Sequence, residues 1–451
     1  MMKKLIVIGA NHAGTAVMNI VADKSMNWEI TTYDSNDNCS FLGCGIALWM
    51  SGKIENPQDL FYSSPEILRN KKIKVNMMHR VENIDYVKKQ IIIRDLKTNE
   101  IKIDYYDKLV ISVGSWPISP LFKNSRCEDW DNAINVKLYQ HGQALIKKLE
   151  DPRINKISIV GGGYIGVELA EAAQIHGKEV TLIDLSPRLL GTYYDREFTD
   201  KMEARIKAKG IKLNLNQSVE EIIGENKLLT ALKTNENIVE TDLAIFCIGA
   251  KPNTKWLQNE NLKMINNGAI IVNNRQQTSI DDVYAVGDCA TVHNSILDKD
   301  VSIALASNAV RSGMVAGFNI IGQDKNSFEG VEGSNAISIY GLNMMSTGLT
   351  MNGARMAGIN AKESYFEGPQ KLGFMNDNHQ VSIKVVYDAE SRVILGAQLA
   401  STYDVSMAIH LFSLAASKKV KIDELKFMDL FFLPHFNSPF NYINEVALKA
   451  E

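Results

Sequence analysis

Two cysteines that could carry redox chemistry lie close together in the stretch CSFLGCG, at Cys39 and Cys44. Such a pair could form a redox-active disulfide, act as one reactive thiol beside an inert one, or simply pack. Three further cysteines, Cys127, Cys247 and Cys289, are expected to be packing thiols. An odd total in a long chain without an export signal argues against a structural disulfide framework and for reduced thiols.

Two segments of the chain share one arrangement: an apolar strand, a glycine turn, a helix with small residues, a second strand and an acid. The first, KLIVIGANHAGTAVMNIV, covers residues 4–21 and leads to Asp34; the second, KISIVGGGYIGVELAEAA, covers 156–173 and leads to Asp184. Each acid follows its glycines by about 20 residues, the spacing of dinucleotide-binding folds. The sequence therefore predicts an internal duplication.

The glycines of each turn have separate physical roles. The first permits the tight turn, the second lets backbone N–H groups approach a pyrophosphate, and the third lets helix and strand pack closely. The acid then accepts hydrogen bonds from ribose hydroxyls. Asn11 replaces the middle glycine of the first copy, so its side chain is expected to turn away from the phosphates. A tight turn without a ligand is the alternative for either copy taken alone.

Three further stretches predict strands that end at glycine turns: DKLVISVGS (107–115), DLAIFCIGAKPNT (242–254) and TSIDDVYAVGD (278–288). Each resembles a strand that returns to a nucleotide domain, although a buried strand with a turn would look the same. The carboxylate of Asp288 would face whatever lies beyond the carboxyl end of its strand.

The last quarter of the chain has a different pattern. Alternating strands such as VSIKVVYD (381–388) and helices near 403–417 and 440–450 predict an α+β domain without a cofactor. Its end, LFFLPHFNSPFNYI, is rich in aromatic residues, which indicates either an interface or a core patch.

Length and charge narrow the class of partner. A chain of 451 residues is expected to form about three domains. Its net charge of -3 gives no field that would recruit nucleic acid or an anionic membrane, so small-molecule substrates are favoured.

The start, MMKKLIVIGA, runs into glycines without a cleavage-like site, and no apolar stretch is long enough to span a membrane. A cytoplasmic location is expected, and the scattered histidines predict no metal site.

Taken together, GANHAG, SFLGCG, GGGYIGVELAE, the YAVGD turn and PHFNSPFNY resemble the single-cysteine branch of the flavoprotein disulfide reductase superfamily over essentially the whole chain. The resemblance implies two Rossmann-like α/β domains and a C-terminal α+β domain that forms a homodimer or a dimer of dimers. It implies FAD in the first fold and NADH in the second. The expected domains are 1–117 and 246–323 for FAD, 118–245 for NADH and 324–451 for dimerisation.

The resemblance also implies site residues. Cys44 corresponds to the redox cysteine and His12 to the active-site histidine, while Tyr164 resembles an aromatic residue that covers the flavin until NADH enters. The implied FAD contacts are Gly9, Ala10, Asn11, His12, Ala13, Gly14, Asp34, Cys44, Ser112, Gly114, Lys137, Asp288 and Ala306. The implied NADH contacts are Gly161, Gly163, Tyr164, Ile165, Gly166, Glu168, Asp184, Tyr193 and Gly249. The turn SVGS replaces the commoner ATG-type turn at residues 112–115.

The surroundings of the two cysteines favour one reactive sulfur. The C-x4-C spacing is that of the dithiol members of the superfamily, so a Cys39–Cys44 pair is one alternative. Cys39, however, follows a polar loop, whereas Cys44 precedes the helical stretch GIALWMSG. A helix N-terminus lowers the pKa of a thiol, and we therefore expect Cys44 to act alone as a thiolate that cycles through sulfenic acid.

Within this branch, SFLGCGIALW is most similar to the enzymes that reduce dioxygen to water with two NADH, and we expect that reaction. The alternatives are an NADH peroxidase, a coenzyme A-disulfide reductase and, from another class, a redox sensor with little turnover. His12 could hydrogen-bond the sulfur or move a proton, and a solvent-facing turn histidine is its alternative role. Asp184 should favour NADH over NADPH because a carboxylate repels a 2′-phosphate, although Arg188 could soften that preference.

Overall fold

Two five-stranded parallel sheets contain the two glycine turns. The computed structural model describes residues 2–123, 125–257, 259–323 and 326–451. The strands of the first sheet lie in the order Val283–Ala285, Lys108–Ile111, Lys3–Ile8, Trp28–Asp34 and Lys74–Met77. Those of the second sheet lie in the order Lys212–Leu215, Glu179–Asp184, Lys156–Val160, Leu243–Phe246 and Ala133–Asn135.

The same local arrangement recurs in both sheets, as the duplication predicted. In each, the strand before the glycines is central, and the strand that ends in an acid pairs with it in parallel. The central strand of the first sheet buries Leu5, Ile6 and Val7 completely, since helices or loops cover both of its faces. Because parallel strands align their carboxyl ends, each turn and its acid meet at one sheet edge.

The helices cover these sheets and the C-terminal region. They are His12–Lys24, Ile46–Met50, Pro65–Asn70, Tyr139–Leu149, Tyr164–Ile175, Arg196–Ala208, Ala306–Ile320, Met351–Met356, Ala408–Ser417 and Tyr442–Leu448. We refer to His12–Lys24 and Tyr164–Ile175, which follow the glycine turns, as the first and second glycine helices.

Smaller antiparallel elements accompany the two parallel sheets. One three-stranded sheet comprises His79–Asp85, Gln90–Asp95 and Ile101–Tyr105, and another comprises Val219–Glu225, Leu228–Thr234 and Ile238–Glu240. Two ribbons pair Ser115–Pro117 with Ala250–Pro252 and Val292–Asn294 with Lys299–Val301. The chain passes from the first sheet to the second through one strand of the first ribbon and returns through the other.

The C-terminal region forms a separate five-stranded antiparallel sheet. Its order is Asn335–Ile339, Leu342–Gly348, Ile394–Ser401, Gln380–Asp388 and Ala361–Pro369. The helices Ala408–Ser417 and Tyr442–Leu448 share an apolar core with this sheet. The strand and the two helices predicted here are therefore present.

The predicted fold class, two dinucleotide-binding α/β units with a C-terminal α+β unit, is confirmed. In the amino-acid sequence, strands of the first sheet come both before and after the strands of the second sheet. The numerical domain limits at 117/118 and 245/246 stay predictions, and the predicted start at residue 324 lies outside the described residues. Among the described residues, no helix is long and apolar enough to cross a bilayer.

The first glycine helix is held by close packing against the helix Ala306–Ile320. A Cβ on Gly313 would lie 2.4 Å from the carbonyl oxygen of Ala13 and 2.9 Å from the Cβ of Ala16. Only a residue without a side chain allows this approach. The contact holds in place the helix that begins at His12.

We predict that Gly313→Ala destabilises the protein. Alanine normally stabilises a helix interior by about 1 kcal/mol relative to glycine. Here the overlap with Ala13 should reverse that gain and cost about 1 to 3 kcal/mol, lowering the thermal unfolding midpoint by several degrees. Gly373→Ala is the control, because a Cβ there meets nothing within 4 Å. Equal midpoints for the two variants would contradict the packing account.

Candidate active site

The first glycine turn is closed by the acid that ends the neighbouring strand. The backbone N–H of Ala10 donates to Asp34 Oδ2 at 2.7 Å, and that of Asn36 donates to Oδ1 at 2.8 Å. Gly9 has φ of +100°, and a Cβ on Gly14 would lie 2.0 Å from the Gly9 carbonyl oxygen. Both glycines are therefore required by the backbone, as the sequence predicted.

The second turn repeats this geometry. The N–H groups of Gly162 and Ser186 donate to the two carboxylate oxygens of Asp184. Gly161 has φ of +112°, and a Cβ on Gly166 would lie 1.8 Å from the Gly161 carbonyl oxygen. Each carboxylate thus orients its turn and still has lone pairs for a ligand hydroxyl.

Both glycine helices begin with their first-turn N–H groups available to a ligand. Their N-cap residues, Asn11 and Gly163, form no side-chain cap hydrogen bond. The side chain of Asn11 is exposed, and a Cβ on Gly163 would meet nothing within 4 Å. Uncapped N–H groups and open space at a helix N-terminus suit a pyrophosphate, so both turns fit a dinucleotide.

His12 is the first residue of the first glycine helix, as predicted, and it is half-buried rather than free in solvent. Its Nδ1 lies 3.0 Å from the hydroxyl of Tyr62, and the two rings are nearly parallel. Burial lowers the pKa of His12, while Asp288 acts to raise it and Lys137 to lower it. The imidazole is therefore mainly neutral near pH 7 and could exchange a proton. No sequence signal pointed to Tyr62.

Lys137 and Asp288, 151 positions apart, meet beside the first turn. The Lys137 Nζ donates to Ser115 Oγ at 2.7 Å, the Ser115 hydroxyl donates to Asp288 Oδ2 at 2.7 Å, and Nζ lies 3.5 Å from Asp288 Oδ2. Sequence reasoning identified Lys137 and Asp288 but not Ser115. The SVGS turn, already unusual at that place, was the available signal.

Other predicted contacts of the first fold lie at the same sheet edge. Ser112 follows the strand Lys108–Ile111, and its hydroxyl donates to the carbonyl oxygens of Ile8 and Gly9. Gly114 has φ of +63°. Ala306 is the exposed first residue of the helix Ala306–Ile320, and Ala13 is a buried residue of the first glycine helix.

Cys44 lies in a single helical turn, Gly43–Gly45, directly before the helix Ile46–Met50. Its thiol is exposed, in agreement with a reactive role. The prediction that the pKa of Cys44 is lowered is wrong for the residues that surround the thiol. Partial burial and the nearby carboxylate of Glu168 raise the pKa of Cys44, and a helix of five residues has only a weak dipole to oppose them.

Cys39 is in a different environment from Cys44. Its side chain is 2% exposed and belongs to the apolar core beneath the first glycine helix. Burial raises its pKa to about 11. Both sulfurs are free thiols, so the geometry favours the single-thiol alternative over a pair. Cys127 and Cys289 are also buried. Cys247, expected within a strand, lies one residue beyond the end of the strand Leu243–Phe246.

The second glycine helix brings three predicted residues to one end of the second sheet. Tyr164 is its first residue, with its ring 4.7 Å from that of Tyr193. Ile165 is exposed beside it. Burial, with a smaller contribution from Glu171, raises the pKa of Glu168 to about 7.

The remaining predicted residues of this site are also placed at the sheet edge. Gly249, with φ of +98°, accepts a backbone hydrogen bond from Ile118. Arg188 donates through Nη1 to Asp200 and Thr199, so a 2′-phosphate would compete with Asp200 for this side chain. Within the described ranges, no group of three His, Cys, Asp or Glu side chains is arranged to hold a metal ion.

Comparison with known proteins agrees with this geometry. Residues 3–313 match the model of the pyridine nucleotide-disulphide oxidoreductase family, and 336–442 match the dimerisation domain of that family. The chain belongs to the pyridine nucleotide-disulphide oxidoreductase family. The family predicted from the sequence motifs is therefore confirmed.

The similarity to particular family members extends over whole chains. An NADH oxidase of Streptococcus pneumoniae is 46% identical over 100% of both chains, and one of Lactococcus lactis is 43% identical over 99% of this chain and 100% of that protein. The structure of a water-forming NADH oxidase from Lactobacillus brevis bound to NADH superposes with a TM-score of 0.95, at 38% identity, over 99% of this chain and 97% of that one.

We predict that Cys44 is the first thiol to react with iodoacetamide in native, FAD-free protein. Because its pKa is raised, the thiolate forms only at higher pH, and the rate should reach half its maximum above about pH 8.5, the midpoint of a free cysteine. Cys44→Ser should remove this phase and Cys39→Ser should leave it. A midpoint below pH 7 would show that the helix N-terminus outweighs burial and Glu168.

Proposed function

We propose that this protein is an FAD-dependent NADH oxidase that reduces dioxygen to water. The observation that carries the proposal is whole-chain similarity to NADH oxidases combined with one exposed thiol, Cys44, and a histidine, His12, that begins the first glycine helix. The overall reaction is 2 NADH + 2 H⁺ + O₂ → 2 NAD⁺ + 2 H₂O.

The two turns would hold the two dinucleotides. Asp34, Ser112, Lys137 and Asp288 are assigned to FAD because they gather at the carboxyl edge of the first sheet. The second turn with Asp184, and with Tyr164, Glu168 and Tyr193, is assigned to NADH. When bound, FAD would accept hydride from NADH and pass electron pairs to oxygen.

Cys44 is assigned the reduction of peroxide. Its sulfur forms a bond to one oxygen as the O–O bond breaks, giving sulfenic acid and releasing hydroxide, which takes a proton to become water. Two electrons from a second NADH return the sulfenic acid to thiolate with loss of another water. This cycle needs no second cysteine, in keeping with the burial of Cys39.

His12 and Glu168 are assigned to the movement of protons near Cys44. The imidazole of His12 is fixed by Tyr62 and is influenced by Asp288 and Lys137 in opposite directions. The pKa of Glu168, about 7, lets this group hold or release a proton at neutral pH. Its carboxylate faces the sulfur closely enough to raise the pKa of Cys44, so protonation of Glu168 would favour the thiolate.

A homodimer, or a dimer of dimers, is proposed through the C-terminal region. That region matches the family's dimerisation domain, and several large apolar side chains of its final segment are exposed. They are Phe427, Phe431, Phe432, Leu433, Phe436 and Phe440. A concentration of aromatic side chains on one exposed segment is typical of an interface.

The stoichiometry of the reaction tests the proposed function. We expect the protein as purified with FAD to consume two NADH for each O₂ without release of hydrogen peroxide. A ratio near one with free peroxide would mean that Cys44 does not complete the reduction. Rapid NADH oxidation that requires added peroxide, without oxygen uptake, would assign the protein as a peroxidase instead.

Variants of the two neighbouring cysteines separate their roles. Cys44→Ser should keep oxygen uptake but lower the ratio toward one and release peroxide, since the sulfur that consumes it is gone. Cys39→Ser is the matched control and should keep a ratio near two. The same loss in both variants would favour a disulfide pair.

The choice of nicotinamide cofactor tests the role of Asp184. Asp184→Asn removes the charge that repels a 2′-phosphate but keeps an oxygen for the Gly162 N–H. We expect the preference for NADH over NADPH, measured as the ratio of kcat/KM values, to fall about tenfold. Glu179→Gln is the control, because it removes the same charge at the exposed opposite end of that strand. An unchanged preference in Asp184→Asn would refute the assignment.

A further inference from the structure

The hydroxyl of Tyr164 is bonded to the C-terminal region rather than to solvent. It contacts Asn335 Oδ1 within hydrogen-bonding distance and lies 3.0 Å from the hydroxyl of Tyr194. Asn335 is the first residue of the C-terminal strand Asn335–Ile339, 171 positions away from Tyr164. A side chain assigned to the NADH site is therefore tied to a different structural unit.

Asn335 is itself held in place from two sides. The Ser346 hydroxyl donates to Asn335 Oδ1 at 3.0 Å, and the Asn335 amide nitrogen donates to the Gly333 carbonyl oxygen at 3.0 Å. Ser346 is almost completely buried in the next strand of the sheet. The acceptor presented to Tyr164 is thus oriented before any ligand binds.

The strand that carries Asn335 runs along the second glycine helix. At the far end of the strand, the N–H of Tyr340 donates to Glu171 and the Tyr340 hydroxyl donates to Gln174, both on that helix. Between these ends, Ile337 and Ile339 belong to the same apolar core as Val167 of the helix. The helix backbone is therefore held along its length, while the half-buried Tyr164 ring at its start is oriented by the contacts of its hydroxyl with Asn335 and Tyr194.

We propose that Asn335 is a positioning residue that determines how readily NADH displaces the Tyr164 ring. The inference rests on the proposed function, in which NADH enters along the second turn and must pass the Tyr164 ring. The hydrogen bond to Asn335 stabilises the resting orientation of the ring. NADH must displace the ring from that orientation, so the hydrogen bond to Asn335 weakens NADH binding. It also keeps the ring in its resting orientation when the NADH concentration is low.

A double-mutant cycle on the FAD-loaded protein tests this proposal. Tyr164→Phe keeps the ring and removes the hydroxyl, and Asn335→Ala removes the acceptor. Anaerobic stopped-flow measurement of flavin reduction gives the half-saturating NADH concentration and the limiting rate separately. We expect each variant to lower the half-saturating concentration three- to tenfold, with a limiting rate within twofold of the unaltered protein.

The combination of the two changes is decisive. Because both changes remove the Tyr164–Asn335 hydrogen bond, and Tyr164→Phe also removes the contact with Tyr194, the double variant should resemble Tyr164→Phe rather than add the two effects. Asn335→Asp, which keeps an oxygen acceptor, should stay near the unaltered protein. Ser338→Ala, at an exposed position of the same strand, is the control and should change nothing.

Additive effects, or a half-saturating concentration unchanged in Asn335→Ala, would overturn the proposal. So would a fall in the limiting rate without any change in half-saturation, because that result points to a merely structural role. The proposed function is judged separately, on the unaltered protein: if NADH does not reduce its flavin, the proposed function fails first and this inference fails with it.

Discussion

The backbone of Ala10 is the point on which the candidate site depends. Its N–H donates to Asp34, and its carbonyl oxygen accepts from the N–H of Ser40 and the hydroxyl of Thr15. One peptide of the first glycine turn therefore joins the acid of the neighbouring strand to the loop that carries the cysteines. The direction of the first glycine helix, and with it the position of His12, follows from the same turn.

This attachment decides which sulfur can react. Ser40, held to Ala10 and to Thr15, takes a left-handed conformation with φ of +59°, and Cys39 before it turns into the core. Cys44 lies after the left-handed residue Ser40 in the chain and stays exposed. Burial thus separates two thiols that the sequence places five positions apart. Partial burial, and after it the carboxylate of Glu168, raise the pKa of Cys44, and the short helix that follows the cysteine does not offset them.

The sequence predicted what depends on local spacing. The two strand–glycine–helix units, their acids and the position of His12 follow from patterns within about 30 residues, and the structure has them. The prediction of a lowered pKa for Cys44 was wrong because partial burial and the approach of Glu168, 124 positions later, arise only in the folded chain. Ser115, Tyr62 and Asn335 were missed for the same reason. Their contacts join residues that are far apart in the sequence, and the type of a single serine, tyrosine or asparagine does not indicate which residue it will contact.

The most direct test of single-sulfur chemistry is to trap its product. The thiols are reduced with dithiothreitol and the reductant is removed, so that no NADH is present to return the sulfenic acid to thiolate. The protein is then treated with one equivalent of hydrogen peroxide in the presence of dimedone, and its peptides are mapped by mass spectrometry. Our account predicts a dimedone adduct on Cys44, with Cys39 recovered as a free thiol. A disulfide between the two residues, or a Cys44 that stays unmodified while peroxide is consumed, would contradict it.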